Sequence, residues 1–183
     1  MKLCSLIVLF FFFSVKLNAQ ISDSEMESLK ADWWLELKKE AHQMIRKMPK
    51  EESMSDFSDS VQRLFLQDTF VLENIFRRQL DKESTTLGIN KANLFCASEY
   101  EKLVDKYFSM LQAKMKKEDT ELLLSWQKEW KKLMTTEQTL IGKLMQEQYS
   151  GGGSIHSIEY TARLMNQNKN RLLTMIDYLT HMI

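Results

Sequence analysis

The side chains with which this chain could do chemistry are a few carboxylates, three histidines and a cysteine. Glu99, Glu101 and Glu137 are the acidic candidates. General acid–base work needs two such groups held across one substrate bond. Helical spacing scatters these three over different faces. His42, His156 and His181 lack the spacing of metal ligands, and none sits three or four residues from a carboxylate pair. Gly151-Gly152-Gly153 has no Lys-Ser/Thr after it and no strand before it, so it is not a phosphate loop. No nucleophile elbow occurs. Cys96 has no base near it in sequence and reads as a small buried apolar residue. The expectation is a protein without catalytic residues, metal or cofactor.

The elements that would position these residues are helices. Five glycines and one proline in 183 residues, with apolar residues at a 3.6-type spacing, point to an all-α fold. A first helix over about 23–48 carries Leu29, Trp33, Leu37, Ala41, Met44, Ile45 and Met48 on one face. Ser24 and Glu27 form its capping box, and Pro49 ends it. Lys50 to Ser60 reads as a polar linker. A second helix follows over 59–83. Ser84 to Gly88 is expected as a short turn, with Gly88 able to take a positive φ. A third helix covers 90–116, with Cys96, Tyr100, Leu103, Tyr107, Met110 and Leu111 on a stripe.

The fourth helix, 119–148, carries the stripe Leu123, Trp126, Trp130, Leu133, Leu140, Ile141 and Leu144. Glu137 falls on it. It is either paired with Arg163 or Arg171 of the last helix, or exposed at the stripe's edge. That last helix runs over 155–181, with Ser154 as its cap and His156 in its first turn. Three glycines exceed what a short helix hairpin needs. The loop is either loose, or its backbone approaches something closely. Gly151, Gly152, Gly153, Ser154 and His156 are therefore the candidate partner-binding residues. Short connections imply antiparallel neighbours. The fold class is thus an antiparallel bundle of four main helices plus an extra N-terminal helix.

Residues 1–19 read as a signal peptide. Lys2 precedes an apolar run from Leu3 to Val15, and Leu17-Asn18-Ala19 offers a processing site. Cleavage is preferred over a retained anchor, because the run is short for a bilayer span. Removing it takes away Lys2 and Lys16, leaving 23 basic and 25 acidic residues, a charge of −2. No basic face suited to nucleic acid is implied. Only Cys96 remains, so the exported chain makes no internal disulfide and relies on packing.

Several pieces, in order, resemble one family. They are Gln127-Lys128-Glu129-Trp130 with Glu137, the turn Gly151-Gly152-Gly153-Ser154-Ile155, the pair Asn170-Arg171, and upstream the segment from Tyr100 to Tyr107. Together they are similar to the bacterial lysozyme-inhibitor LprI-like domain. Tyr100, Tyr107, Gln127, Trp130, Glu137, Arg163 and Arg171 are its motif positions in this chain. The likeness spans roughly 65–180, which divides the chain into a signal peptide (1–19), an N-terminal helix with linker (20–60) and the family-like domain (61–183). Met134 and Thr135 depart from the family's Arg–Asp, and Asp105 replaces its Asn. The resemblance implies a periplasmic or secreted all-helical domain with no membrane span after cleavage. Its partner would be a lysozyme or another cell-wall hydrolase. The other function class compatible with the residues is an adapter bundle of the envelope.

Overall fold

A computed structural model describes residues 21–50 and 52–182. The expected signal peptide lies outside the described residues. Within them the chain is all helix: α1 Asp23–Lys47, α2 Asp56–Lys82, α3 Thr86–Lys114, α4 Thr120–Leu144, α5 Glu147–Ser150 and α6 Ser154–His181. A 3-10 turn at Lys117–Asp119 joins α3 to α4.

Helices adjacent in the chain run antiparallel, as their short connections require. The most intimate contact is nevertheless between α3 and α6, which are parallel. Asn90 and Asn93 meet Thr161 near the start of both helices, and Asn168 donates to the Ala97 carbonyl further along (2.9 Å). Small residues on α3 (Ala92, Cys96 and Ala97, all buried) let the two backbones approach. α2 packs against both of them, and α4 lies on α6. The main core is built from Val61, Leu72, Tyr100, Val104, Tyr107, Leu111, Leu172, Met175 and Leu179.

α1 docks on α2 through a second core cluster of Leu37, Ala41, Val71 and Ile75, flanked by Trp33 and Trp34. Both tryptophans are half-buried. Arg63 locks the end of α1. Its guanidinium donates to the carbonyls of Ile45 (3.0 Å), Met48 (3.2 Å) and Pro49 (2.9 Å), and to Asp59 (2.7 Å). A cation among the free carbonyls of a helix C-terminus satisfies both their hydrogen bonds and the dipole. Arg63→Ala should therefore cost about 1–2 kcal/mol, read as a lower denaturation midpoint with α1 loosened in hydrogen exchange.

Four expectations are corrected. The linker is shorter than Lys50 to Ser60, because Ser55 caps α2 by accepting from Ser58 N (3.1 Å) and Asp56 and Asp59 fill the first turn. Ser58 is buried and donates to the Thr180 carbonyl (2.8 Å). The cap of α1 is Ser22, not Ser24. Gly88 is not at positive φ. It lies in the first turn of α3, capped by Thr85, and it must be glycine because a Cβ would stand 2.4 Å from the Glu83 carbonyl oxygen. The buried stripe of α4 is Leu123, Gln127, Met134 and Ile141; Leu133, Leu140 and Leu144 face solvent. This helix packs mainly on α6, with only side-chain contact to α3 such as Lys131 with Asp105 (3.2 Å), so a narrower arc of it is covered.

Candidate functional site

The turn between α5 and α6 answers the question that three glycines posed. Gly151, Gly152 and Gly153 all have positive φ, at 76°, 79° and 114°. Side chains are strained in that region, so each position favours glycine. Close approach is not the reason, since nothing lies within 4 Å of a Cβ built at Gly151 or Gly153. Ser150 steadies the turn: its hydroxyl accepts from Gly152 N (3.2 Å) and lies 3.1 Å from the Met145 carbonyl. Ser154 is not a side-chain cap. Gly153 occupies the N-cap position and Ser154 opens the helix. His156 is half-buried, its Nδ1 3.4 Å from Glu159. Tyr149 and Ile155 flank the turn and are 65% and 56% exposed. The candidate partner-binding residues thus sit together on an open turn edged by two large apolar side chains.

A second centre lies on the α4–α6 seam. Arg171 is only 7% exposed. Its guanidinium carbon stands 3.2 Å from the Trp126 ring centre and 4.9 Å from that of Trp130. Its Nε and Nη2 donate to Gln127 Oε1 at 3.2 and 2.8 Å. Of the two readings of Glu137, the ion pair with Arg163 or Arg171 is not formed. Among the described residues Arg171 has no carboxylate partner, Arg163 is exposed, and Glu137 is half-buried on the next turns of α4. Burial without a counter-ion pushes the Arg171 pKa down to about 10. Met134 is buried, and Thr135 is exposed with its hydroxyl on the Lys131 carbonyl (3.0 Å).

The two motif tyrosines are wholly buried and each ends on a carboxylate of α2. Tyr100 donates to Glu73 (3.0 Å), which also receives Lys169 (2.7 Å). Tyr107 donates to Asp68 (2.9 Å), which also receives Lys106 (2.5 Å). Their seven-residue spacing puts both on one face of α3. The carboxylates that answer them were not legible, because nothing in the α2 sequence marks Asp68 and Glu73 apart from its other polar residues. Burial, then the adjacent carboxylate, raises both phenol pKa values.

The acids considered for catalysis are not brought into one site. Glu99 pairs with Lys102 (2.5 Å), Glu101 is exposed, and Glu137 belongs to α4. His42 and His181 are exposed on separate helices. Among the described residues no group of three or more His, Cys, Asp and Glu side chains could hold a metal ion, and no helix is long and apolar enough to cross a membrane. Cys96 is 1% exposed, and burial pushes its thiol up to about 12. A thiol-specific reagent at pH 8 should therefore label Cys96 in the folded protein only as fast as it unfolds. Immediate stoichiometric labelling would contradict the burial of this side chain.

Compared with protein-family models, curated proteins and solved structures, the chain matches none.

Proposed function

We propose that this protein is an exported protein-binding bundle that blocks a lysozyme-type glycosidase. The observation that carries the reading is the turn from Tyr149 to His156. It is edged by exposed apolar side chains and is free of close packing around Gly151 and Gly153. Such a turn can enter a cleft of the kind in which a glycosidase holds its paired carboxylates. The motif pieces that resemble the LprI-like domain supply the enzyme class. Catalysis, metal and cofactor play no part in this reading.

A second reading, an adapter bundle of the envelope, is favoured by the exposed Leu133, Leu140 and Leu144 on α4, which offer an apolar stripe for another protein's helix. The two are separated by measuring peptidoglycan hydrolysis by several lysozyme types with the purified protein in excess. The inhibitor reading expects hydrolysis to fall, and to recover with Ile155→Asp at unchanged thermal stability. Undiminished hydrolysis with every lysozyme would overturn it. Capture of one envelope protein, lost on Leu140→Asp, would then establish the adapter.

A further inference from the structure

The outer face of α4 has the spacing of a helix that pairs with another helix. Leu133, Leu140 and Leu144 are 62%, 57% and 49% exposed. Trp126 and Trp130 continue the face, half-buried beside Arg171. The positions Trp126, Trp130, Leu133, Glu137, Leu140 and Leu144 follow one another in alternating steps of four and three. That is the heptad seam of a coiled coil, with one polar interruption at Glu137. The arc that α4 buries against the rest of the bundle, Leu123, Gln127, Met134 and Ile141, lies to one side of this seam and leaves most of it open.

Two charges flank the seam on the side away from α6. Glu129 and Lys143 are both exposed, and neither has a partner among the described residues. Each is seven residues from Thr136, which is also exposed and lies on the same edge. Opposite charges at equal distances on either side of one residue are complementary to themselves when the helix is reversed.

We propose that this face binds a second copy of the chain, the two α4 helices packing antiparallel about a two-fold axis beside Thr136. Charge selects both the partner and the direction. In antiparallel order each Glu129 comes beside Lys143 of the other copy, and the two-fold axis forms that pair twice. Leu133 of each copy then meets Glu137 of the other, Leu140 meets Trp130, and Leu144 meets Trp126. Parallel order forms neither ion pair and puts the two Glu137 carboxylates in one layer of the seam. Antiparallel order staggers them by four residues, about 6 Å along the helix. The apolar seam residues supply the affinity, whereas the rim charges set orientation and add little to it. Glu137 costs affinity and fixes the register, as a single polar residue in such a seam does.

Sedimentation equilibrium of the purified protein tests this, by following mass against concentration. A dimer should form at micromolar concentration. Glu129→Lys and Lys143→Glu should each weaken it by about tenfold, and the double variant Glu129→Lys/Lys143→Glu should restore it, all at unchanged thermal stability. Glu137→Leu should tighten it by tenfold or more. Under mild oxidant Thr136→Cys should cross-link two copies, while Thr135→Cys, on the opposite face, should give no more dimer than the unsubstituted protein. A chain that stays monomeric at millimolar concentration would overturn the proposal and leave the stripe to a different protein. So would a double variant no tighter than its single variants, or a Thr136→Cys protein that does not cross-link. The lysozyme assay is read separately, because the paired stretch ends at Leu144, before the glycine turn.

Discussion

Arg171→Ala is expected to be the most damaging single change on the α4–α6 seam, lowering stability by about 3 kcal/mol. Three losses coincide. The guanidinium leaves a void against Trp126 and near Trp130. The desolvated cation–π contact disappears, a contribution of about 2 kcal/mol where water is excluded. Gln127, already with a buried unpaired Nε2, loses the donors to its Oε1 as well. α6 is the main neighbour of α4, so little else holds the helix. The measurement is chemical denaturation alongside tryptophan emission, which should shift to the red as both indoles reach water. Removing the cation also relieves its own burial, an opposing effect smaller than the three losses together. An Arg171→Ala protein with native emission and a loss under 1 kcal/mol would show that α4 is held by other means.

Arg171 also marks where the sequence could be read and where it could not. The all-helical type and the order of the five long helices follow from sparse breakers and regular apolar spacing, and the structure has them, but the expected fourth helix over 119–148 stops at Leu144 and a separate short helix, Glu147–Ser150, follows it. The errors concern which arc of a helix is covered. On α4, Leu133, Leu140 and Leu144 share the 3.6-type spacing of core residues yet face solvent. Periodicity shows that a helix is amphipathic; it does not show how many neighbours the helix has. The same limit explains Glu137. Its stripe position suggested an arginine partner, but α4 is rotated so that Gln127 meets Arg171 instead. Gly88 is a different case. A glycine before a helical run reads as a turn, whereas here the Glu83 carbonyl leaves no space for a Cβ. That crowding comes from the path of the chain between α2 and α3, which no local pattern encodes. The glycine triplet was found by sequence, but its reason, three successive positive φ angles, needed the backbone.

The second large effect is a steep alkaline limit to stability. Cys96, Tyr100 and Tyr107 are buried as neutral acids, and burial raises all three pKa values. In the unfolded chain they ionise near 8.5 for the thiol and 10 for the phenols. Above those values the unfolded state releases protons that the folded state retains. Stability therefore falls as pH rises, by about 1.4 kcal/mol per pH unit for each retained proton. Arg171 has the opposite sign. Its folded pKa is pushed down to about 10, so above that the folded state loses a proton the unfolded chain keeps, and stability gains. From pH 8.5 to 10 the cysteine acts alone. From 10 to 12 three buried losses oppose one gain, a net slope of about 2.7 kcal/mol per pH unit from the buried groups, and the raised ammonium pKa values of Lys50 and Lys91 act in the same direction as the losses. The accumulated loss at pH 11 is about 5 kcal/mol, comparable with the whole stability of many domains, so unfolding is expected near that pH. The double variant Tyr100→Phe/Tyr107→Phe separates the contributions. It leaves Cys96 and Arg171 to oppose each other above pH 10, so its denaturation free energy should fall far less steeply from 10 to 12, with only the exposed pairs of Lys50 and Lys91 still adding to the fall. A variant that keeps the steep limb would mean that groups other than these two phenols set the alkaline limit.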